Sequence, residues 1–359
     1  YLGCVATFAT ALRERGARGE RVALLLGNGV DICIAMFAVH AAGGTAVPLN
    51  PMYTERELTL ILEDADVQAL LYDADSQGVA EKVGAALGIP HRLGLGTLPD
   101  RHLLGLAARE YPPLPEPLPS PDDLDTLQYT GGTTGRSKGV ELTHGAIATN
   151  IAQREALLPT RLDRDRELSV MPLFHVYGVA MCLHLAPYCG ATLVIVPRYR
   201  PEIVSDIIER EAITVIAGSP TLYAGLLSYP PFQHVDMDRV DICYSGGSAL
   251  PAEILRRWEA RSGARVIEGY GQTEAGPILT FNPQEGIRKP GAVGLPLPQT
   301  EVQIVDVETG TKVLPPGERG EIRARGPQVM RGYRNLPEAT AEALRGGWLY
   351  TGDIGELDD

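Results

Sequence analysis

Short apolar strands alternate with helices in the first third of the chain, and this order constrains the fold more than any other feature of the sequence. Thr54 begins the second helix with a capping pattern, because Glu57 stands three residues later, where its side chain reaches back to the Thr54 amide. The alternating segments, in chain order, are strand 21–27, helix 30–42, strand 45–49, the helix after Thr54 and strand 67–72. A β-α-β-α-β order predicts a largely parallel sheet with helices packed on its faces.

The same α/β order resumes after a proline-rich stretch and changes near the C-terminal end. Tyr111–Pro121 has six prolines in eleven residues, which excludes a helix or a central strand and predicts a stiff connector. Further strands are predicted at 126–129, 168–171, 192–196, 214–217, 241–245 and 265–268. Beyond Val293, short strands between Gly and Pro turns predict a small β barrel or sheet, at 301–307, 320–324 and 348–351.

Composition limits the partners and the location of the protein. A net charge of −13 argues against nucleic acid or an anionic membrane surface as the main partner. The five cysteines are scattered and form no C-x-x-C, which predicts buried thiols in a reducing compartment. Residues 168–197 contain no Asp, Glu, Lys or Arg, but Pro172 and Gly178 interrupt the run, so we predict buried elements and no transmembrane segment. We expect a cytoplasmic protein and leave peripheral membrane contact and homodimer formation open.

The stretch QYTGGTTGRSKG at 128–139 has the composition of a phosphate-binding loop. Glycines let backbone N–H groups converge on an anion, threonine hydroxyls add donors, and Lys138 adds a positive charge. The common nucleotide loop has Gly before its Lys and Ser or Thr after it, whereas Ser137 and Gly139 flank Lys138 here. The alternative without a ligand is a plain Gly/Thr hairpin.

Three motifs in order resemble those of the adenylate-forming enzymes, which include acyl-CoA synthetases, aryl-CoA ligases, luciferases and peptide-synthetase adenylation domains. LQYTGGTTGRSKG resembles the family's phosphate loop, although the family commonly has Pro where this chain has Ser137. GYGQTE at 269–274 and YTGD at 350–353 resemble its next two motifs, so that the three extend over more than 220 residues. Taken singly, a helix cap at Thr273 and a turn at 351–353 are the structural alternatives. The resemblance covers essentially the whole chain.

The resemblance implies an α/β fold in which two mostly parallel sheets are layered with helices as αβαβα, with a small β barrel near the C-terminal end. It implies a first α/β unit at 1–120, a second unit with the phosphate loop and the ATP and acyl pocket at 121–292, and a small barrel-like unit at 293–359. In the family a hinge and a C-terminal lid domain follow. We therefore expect this chain to be the large N-terminal domain of a longer enzyme.

The resemblance also implies a nucleotide site for ATP or AMP. Thr273 would donate to the α-phosphate, Asp353 would accept from the ribose hydroxyls, and Glu274 with Thr130 would bind Mg²⁺. The expected nucleotide contacts are Thr130, Gly131, Gly132, Thr133, Thr134, Gly135, Lys138, Gly247, Ser248, Ala249, Glu268, Gly269, Tyr270, Gly271, Gln272, Thr273 and Asp353. The expected catalytic set is Thr130, Lys138, His175, Thr273 and Glu274.

An acid pocket is expected beside the loop Phe174–Gly178. The loop holds no acidic residue to bind an ammonium group, which disfavours an amino-acid substrate. The expected acyl contacts are His175, Val176, Tyr177, Gly178, Ser219, Thr221, Gly247, Gly271 and Ile278, with His175 alternatively a structural residue. Segments such as GPQVMRGY and GWLYTGD resemble bacterial long-chain acyl-CoA synthetases and favour a medium- or long-chain fatty acid. An aryl acid, or adenylate binding without catalysis, is the alternative.

The implied reaction joins a carboxylic acid to coenzyme A at the expense of ATP. The carboxylate attacks the α-phosphorus, which gives acyl-adenylate and pyrophosphate, and a thiol then accepts the acyl group. A carboxylate is already a nucleophile, so the site needs charge neutralisation and in-line placement and no general base. The family's lysine that bridges the acid and the α-phosphate belongs to the C-terminal domain, and Lys138 is not its equivalent. We therefore expect the 359-residue chain to bind ATP or acyl-adenylate and to catalyse poorly. The chain length of the acid and the choice between CoA and a carrier-protein thiol stay open.

Overall fold

The computed structural model describes residues 1–95, 102–107, 110–131 and 137–358, and its elements alternate as the sequence predicts. The elements up to residue 157 are α1 (Leu2–Glu14), β1 (Arg21–Leu25), α2 (Val30–Ala41), β2 (Thr45–Pro48), α3 (Glu55–Ala65), β3 (Ala69–Tyr72), α4 (Gln77–Ala86), β4 (His91–Gly94), a 3₁₀ turn (Leu103–Leu106), β5 (Leu124–Thr130), β6 (Lys138–Thr143) and α5 (His144–Leu157). The predicted capping box is present, since the Thr54 hydroxyl accepts from the Glu57 amide and Glu57 Oε2 accepts from the Thr54 amide. The connector at 111–121 contains neither helix nor strand, as predicted.

The remaining elements continue the α/β order and then change to short antiparallel strands. They are β7 (Arg166–Ser169), α6 (Val176–Gly178), a π-helical turn (Val179–His184), α7 (Leu185–Cys189), β8 (Thr192–Ile195), α8 (Pro201–Arg210), β9 (Val215–Gly218), α9 (Pro220–Leu227), a 3₁₀ turn (Pro230–His234), β10 (Ile242–Ser245), α10 (Ala252–Ser262), β11 (Arg265–Gly271), a 3₁₀ turn (Thr273–Ala275), β12 (Ile278–Phe281), β13 (Leu295–Pro296), β14 (Glu301–Val305), β15 (Gly320–Arg325), β16 (Gly332–Tyr333), α11 (Pro337–Ala343), β17 (Leu344–Arg345) and β18 (Trp348–Gly355).

Two seven-stranded, mostly parallel sheets form the body of the protein. The first has the strand order β16-β6-β5-β2-β1-β3-β4, and the second has the order β13-β12-β11-β10-β9-β7-β8. Strands β1 to β5 pair in parallel, whereas β6 and β16 are antiparallel additions at one edge. In the second sheet β7 to β11 pair in parallel, and β12 and β13 are the antiparallel additions. The predicted parallel sheets are therefore confirmed.

Alternate residues of each strand enter different hydrophobic cores, which defines the layers. Val22 and Leu24 of β1 belong to the core between the sheets, while Ala23 and Leu25 pack on the outer side with α3 and α4. Tyr244 of β10 likewise faces the central core, and its neighbour Cys243 faces the outer core with α8 to α10. Because side chains alternate along a strand, each sheet is buried on both faces. The layers are thus αβαβα, as expected.

The C-terminal unit is a four-stranded antiparallel sheet in the order β14-β15-β18-β17. It is an open sheet within residues 301–355, and the barrel expected there is not formed. The expected unit boundary after residue 120 does not coincide with the edge of the first sheet. Strand β5, which follows that boundary, pairs with β2, and the two-residue strand β16 from the C-terminal unit pairs with β6 of the same sheet. The division into three units itself stays a prediction.

All five cysteines are free and buried, as the sequence predicts. Within the described residues no helix is long and apolar enough to cross a membrane. The uncharged run at 168–197 instead forms β7, the buried helical segment from Val176 to Cys189, and β8.

Candidate active site

A cleft of about 600 Å³ opens where strands of both sheets reach their carboxyl ends. Its walls come from the ends of β5, β10 and β11, the loops after β2 and β7, and single residues of β16 and β18. Open α/β sheets bind ligands at this position, because loops that follow neighbouring parallel strands meet there. The cleft therefore joins segments that lie far apart in sequence.

The glycine-rich stretch connects the antiparallel strands β5 and β6. Thr130, the last residue of β5, pairs with Lys138, the first residue of β6, and both line the cleft. The expected phosphate contacts Gly132, Thr133, Thr134 and Gly135 lie outside the described residues. The hairpin alternative and the phosphate-loop prediction are thus compatible, since β5 and β6 pair as a hairpin whose described ends, Thr130 and Lys138, line the cleft. The helix α5 follows β6 directly, and the Thr143 side chain caps it.

Glu274 lies in the 3₁₀ turn that follows β11 and lines the same cleft. Its Oε1 accepts a hydrogen bond from the Tyr333 hydroxyl at 2.8 Å, and Lys138 Nζ lies 4.8 Å from the centre of the Tyr333 ring. Gly271 permits this turn, since a Cβ there would lie 1.9 Å from the carbonyl oxygen of Pro277. A carboxylate and the Thr130 hydroxyl are hard oxygen donors of the kind that Mg²⁺ prefers, so the residues present fit this cation.

Tyr270 and Asp353 connect the second sheet to the C-terminal sheet. The Tyr270 hydroxyl donates to Asp353 Oδ2 at 2.7 Å. Burial, with a smaller contribution from the Asp353 carboxylate, raises the pKa of Tyr270, so the phenol keeps its proton near neutral pH. Asp353 itself is exposed at the rim, while Thr351 and Tyr270 line the cleft. A rim carboxylate held in this way presents acceptor oxygens to a ligand that enters the cleft.

The opposite end of the cleft is largely aromatic and contains His175. The His175 Nδ1 accepts a hydrogen bond from the Tyr177 amide at 3.2 Å and thereby caps α6. Since an amide donates to Nδ1, the neutral ring carries its proton on Nε2, and exclusion of water lowers the pKa of His175. Phe174, Val176, Tyr177, Ile278 and Phe281 line the same cleft as His175. His175 thus has the structural role left open by the sequence and also lines the cleft.

A buried polar group lies behind this aromatic wall. The Arg154 guanidinium lies 4.5 Å from the centre of the Tyr244 ring and pairs with Glu155. Glu167 on β7 is 4% exposed, and its Oε1 has no hydrogen-bond partner among the described residues. Burial raises the pKa of Glu167 to about 7, against the opposing effect of Arg154. Glu167 is therefore largely protonated below neutral pH.

The structure brings most of the expected site residues to one cleft. Those lining it are Thr130, Gly131, Lys138, His175, Val176, Tyr177, Gly247, Gly269, Tyr270, Gly271, Gln272, Thr273, Glu274 and Ile278. Thr273, for which a helix cap was the structural alternative, follows Gln272 at the start of the 3₁₀ turn and is buried.

Other expected residues are not among those lining the cleft, for identifiable reasons. Glu268 turns its carboxylate to the Leu250 amide at 2.8 Å, and the backbone of Pro172 covers Gly178. Ser219 stands directly after β9 as the N-cap residue of α9, and Thr221, Ser248 and Ala249 are exposed. Tyr223, two residues after Thr221, lies fully buried in the outer core against Trp258. The six expected residues Glu268, Gly178, Ser219, Thr221, Ser248 and Ala249 are therefore not among the residues that line the cleft, and a seventh, Asp353, lies at its rim.

Sequence reasoning missed several residues that line the cleft. Tyr333 is the most important, because it reaches the cleft only through the pairing of β16 with β6, a contact that no local pattern indicates. The others come mainly from the first sheet and its loops or from the aromatic wall: Pro48, Asn50, Tyr53, Gln128, Tyr129, Phe174, Ser245, Gly246, Pro277, Phe281 and Thr351. Tyr129 was recoverable, since it stands next to Thr130 at the end of a predicted strand.

The chain has recognisable relatives among known proteins. Residues 4–334 match the model of the family described as AMP-binding enzyme. The long-chain-fatty-acid–CoA ligase of Bacillus subtilis strain 168 is 34% identical over 385 residues, which cover 95% of this chain and 66% of that protein. The feruloyl-CoA synthase of Amycolatopsis sp is 36% identical over 358 residues, which cover 99% of this chain and 70% of that protein.

Solved structures share the fold. The crystal structure of ATP-bound MatB from Rhodopseudomonas palustris has a TM-score of 0.90 and 32% identity, and the match covers 100% of this chain and 70% of that one. The chain thus spans about two thirds of the length of its relatives, 66% in the case of the Bacillus subtilis ligase.

Proposed function

Because the chain belongs to the AMP-binding enzyme family, we propose that the full-length protein is an ATP-dependent acid–CoA ligase that forms an acyl-adenylate in this cleft. One observation carries the proposal: Thr130, Lys138 and Glu274, from motifs far apart in sequence, line one cleft together with an apolar wall around His175. A cleft with charged groups at one end and aromatic groups at the other suits a reaction between a triphosphate and an organic acid.

The phosphates of ATP are assigned to the β5–β6 hairpin. Lys138 supplies positive charge, and Thr130 supplies a hydroxyl in the same cleft as Glu274. Mg²⁺, held by the oxygens of Thr130 and Glu274, would neutralise phosphate charge. The hydrogen bond from Tyr333 holds the Glu274 carboxylate in one orientation. In this proposal the chain positions the substrates and neutralises the charge of the phosphates. Positioning and charge neutralisation are the main contributions of a protein to phosphoryl transfer.

The nucleoside is assigned to the rim formed by β11 and β18. Gly247 has a φ of 81°, a left-handed conformation that suits glycine and leaves the backbone uncovered for a flat base. Asp353, held by Tyr270, would accept from the ribose hydroxyls. This arrangement would place the α-phosphorus near Thr273, between the hairpin and the acid end of the cleft.

The acid is assigned to the aromatic end of the cleft, and we propose a medium- or long-chain fatty acid as the substrate. Ile278, Phe281 and Val176 supply an apolar lining, and among the described residues that line the cleft the one carboxylate is that of Glu274, which is assigned to Mg²⁺. The similarity to the Bacillus subtilis long-chain-fatty-acid–CoA ligase supports this choice. The Nε2–H of His175 is a donor available to orient the carboxylate for attack on the α-phosphorus.

An aryl acid is the second candidate, and a specific observation favours it. Phe174, Tyr177 and Phe281 line the acid end, and aromatic rings pack well against a planar substrate. The Oγ of Ser245 and the hydroxyl of Tyr177 are buried without a hydrogen-bond partner among the described residues, so a polar substituent on a ring would satisfy them. The similarity to feruloyl-CoA synthase is in accord with this candidate.

The test is pyrophosphate release by the full-length protein with ATP, Mg²⁺ and a panel of acids, with and without CoA. The proposal expects release with octanoate to palmitate and CoA-dependent formation of the thioester. Release with benzoate or cinnamate alone would select the aryl candidate. ATP binding without pyrophosphate release for any acid would contradict the ligase proposal and indicate a nucleotide-binding relative without catalysis.

A further inference from the structure

Three of the seven histidines converge on a buried aspartate, away from the residues that line the cleft. His40 comes from α2, Asp125 from β5, His144 from the first turn of α5 and His184 from the π-helical turn. Asp125 is 3% exposed, His40 6% and His184 7%. The four side chains therefore lie in the central layer, where the first sheet meets the buried helical segment of the second unit.

The side chains already lie at short distances from one another. His144 Nδ1 lies 2.9 Å from Asp125 Oδ2, and His40 Nδ1 lies 3.6 Å from the same oxygen. One ligand atom from each of His40, Asp125 and His144 lies within 4.8 Å of the other two. The ring of His184 is 5.5 Å from that of His40, measured between centroids.

Hydrogen bonds within the protein leave this cluster incompletely satisfied. Asp125 Oδ1, His144 Nε2 and His184 Nε2 are buried and have no partner among the described residues. Buried polar atoms are nearly always paired, so three such atoms in one cluster indicate a ligand.

We propose that His40, Asp125, His144 and His184 bind one divalent transition-metal cation, Zn²⁺. Imidazole nitrogens and a carboxylate oxygen are ligands that Zn²⁺ prefers, and four protein ligands make a closed tetrahedral site of the structural type. Zinc requires ligand distances of about 2.0–2.2 Å, so His40, Asp125 and His144 must draw together by side-chain rotation, and His184 must turn its ring towards them to become the fourth ligand. Mg²⁺ is excluded by the same chemistry, because it prefers oxygen ligands.

The position of the site gives it a mechanical role. Asp125 precedes Thr130 by five residues on β5, roughly 17 Å of strand, and His184 follows Tyr177 on the helical segment that forms the acid end. A metal at this point joins the base of the phosphate hairpin to the wall of the acid pocket. It stabilises the folded protein, because it binds side chains that only the fold brings together.

The test uses the full-length protein freed of metal with a chelator and then titrated with Co²⁺, which reports coordination through its visible absorption. We expect one equivalent of Co²⁺ with the intense bands of a tetrahedral site, displacement of Co²⁺ by Zn²⁺, and a higher Tm with Zn²⁺ than without. Asp125→Asn and His184→Gln each lower the affinity for Co²⁺ at least tenfold. The matched control is His234→Gln, since His234 is exposed and distant, and it binds Co²⁺ as the wild type does.

Two results overturn the proposal. One is wild-type protein that takes up no Co²⁺ with a tetrahedral spectrum, which decides the question even when a variant does not fold. The other is tetrahedral Co²⁺ binding that the folded Asp125→Asn and His184→Gln variants retain at wild-type affinity. Either result leaves the cluster as a hydrogen-bonded element of the core. Because the titration contains no ATP or acid, its outcome is independent of the ligase activity.

Discussion

The Tyr333 hydroxyl donates a 2.8 Å hydrogen bond to Oε1 of Glu274. Tyr333 belongs to β16, which is only two residues long and pairs with β6 at the edge of the first sheet. The same ring lies 4.8 Å from Lys138 Nζ. A single side chain thus contacts both the expected metal-binding carboxylate and the expected phosphate-binding lysine, and it joins the two sheets at the cleft.

Replacing Tyr333 by Phe should weaken the use of MgATP. The change keeps the ring beneath Lys138 and removes only the hydrogen bond to Glu274. Loss of a hydrogen bond to a charged group lowers affinity roughly tenfold. We expect KM for ATP to rise about tenfold, with little change in KM for the acid or in Tm. Steady-state pyrophosphate release measures both constants. An unchanged KM for ATP would assign Tyr333 a packing role only.

Asp353→Ala should impair ATP binding far more than acid binding. The carboxylate is exposed, and its only described side-chain partner is the Tyr270 hydroxyl, so its loss costs little stability. We expect KM for ATP to rise by on the order of tenfold to a hundredfold, with KM for the acid unchanged. Asp358→Ala is the control, because Asp358 is also an exposed acidic residue near the end of the described chain. Equal effects on both constants would indicate a folding role.

Glu167 should make the protein less stable as the pH rises towards neutrality. Its pKa is about 7 in the folded protein and about 4.5 ordinarily. Between these values the folded state holds a proton that the unfolded chain has lost, so the free energy of unfolding falls with rising pH. Glu167→Gln, which is always neutral, should lose this dependence and gain on the order of 1–3 kcal/mol at pH 8. Tm measured from pH 4.5 to pH 8 for both proteins shows whether the stability of the wild type falls with rising pH relative to that of Glu167→Gln.

Thr54→Ala should destabilise the protein modestly without changing the residues that line the cleft. Thr54 accepts from the Glu57 amide at 3.3 Å, and Glu57 accepts from the Thr54 amide at 2.7 Å. Losing an N-cap of this kind costs about 1 kcal/mol. Urea unfolding measures the change, and Thr54→Ser is the matched control, since a serine hydroxyl caps equally well. Identical stabilities for wild type and Thr54→Ala would show that the exposed cap contributes nothing.

Local sequence signals predicted most helices and strands, because the formation of these elements depends largely on residues that are close together in the chain. The capping box at Thr54, the proline-rich connector and the parallel strands follow from propensity and hydrophobic period alone. The strand β6 was missed, because Lys138–Thr143 lies between a glycine-rich loop and a strong helix cap and is defined by its pairing with β5. Propensity contains no information on such pairing.

The site was predicted as far as its motifs extend. Thr130, Lys138, Tyr270 and Glu274 were found because their motifs resemble those of a family, and the fold brings them to one cleft. Tyr333 and the cluster at Asp125 were not found, since both depend on contacts between distant elements. Ser219 and Thr221 were expected as acyl contacts, but they stand at the start of α9 and are not among the residues that line the cleft.

The most direct test of the central claim is acid-dependent exchange of labelled pyrophosphate into ATP by the full-length protein, compared between the wild type and Glu274→Ala. This exchange reports adenylate formation alone, without the thiol step. The account predicts exchange by the wild type only when an acid substrate is present, and a loss on the order of a hundredfold or more in Glu274→Ala at unchanged Tm. Exchange by folded Glu274→Ala at the wild-type rate would contradict it.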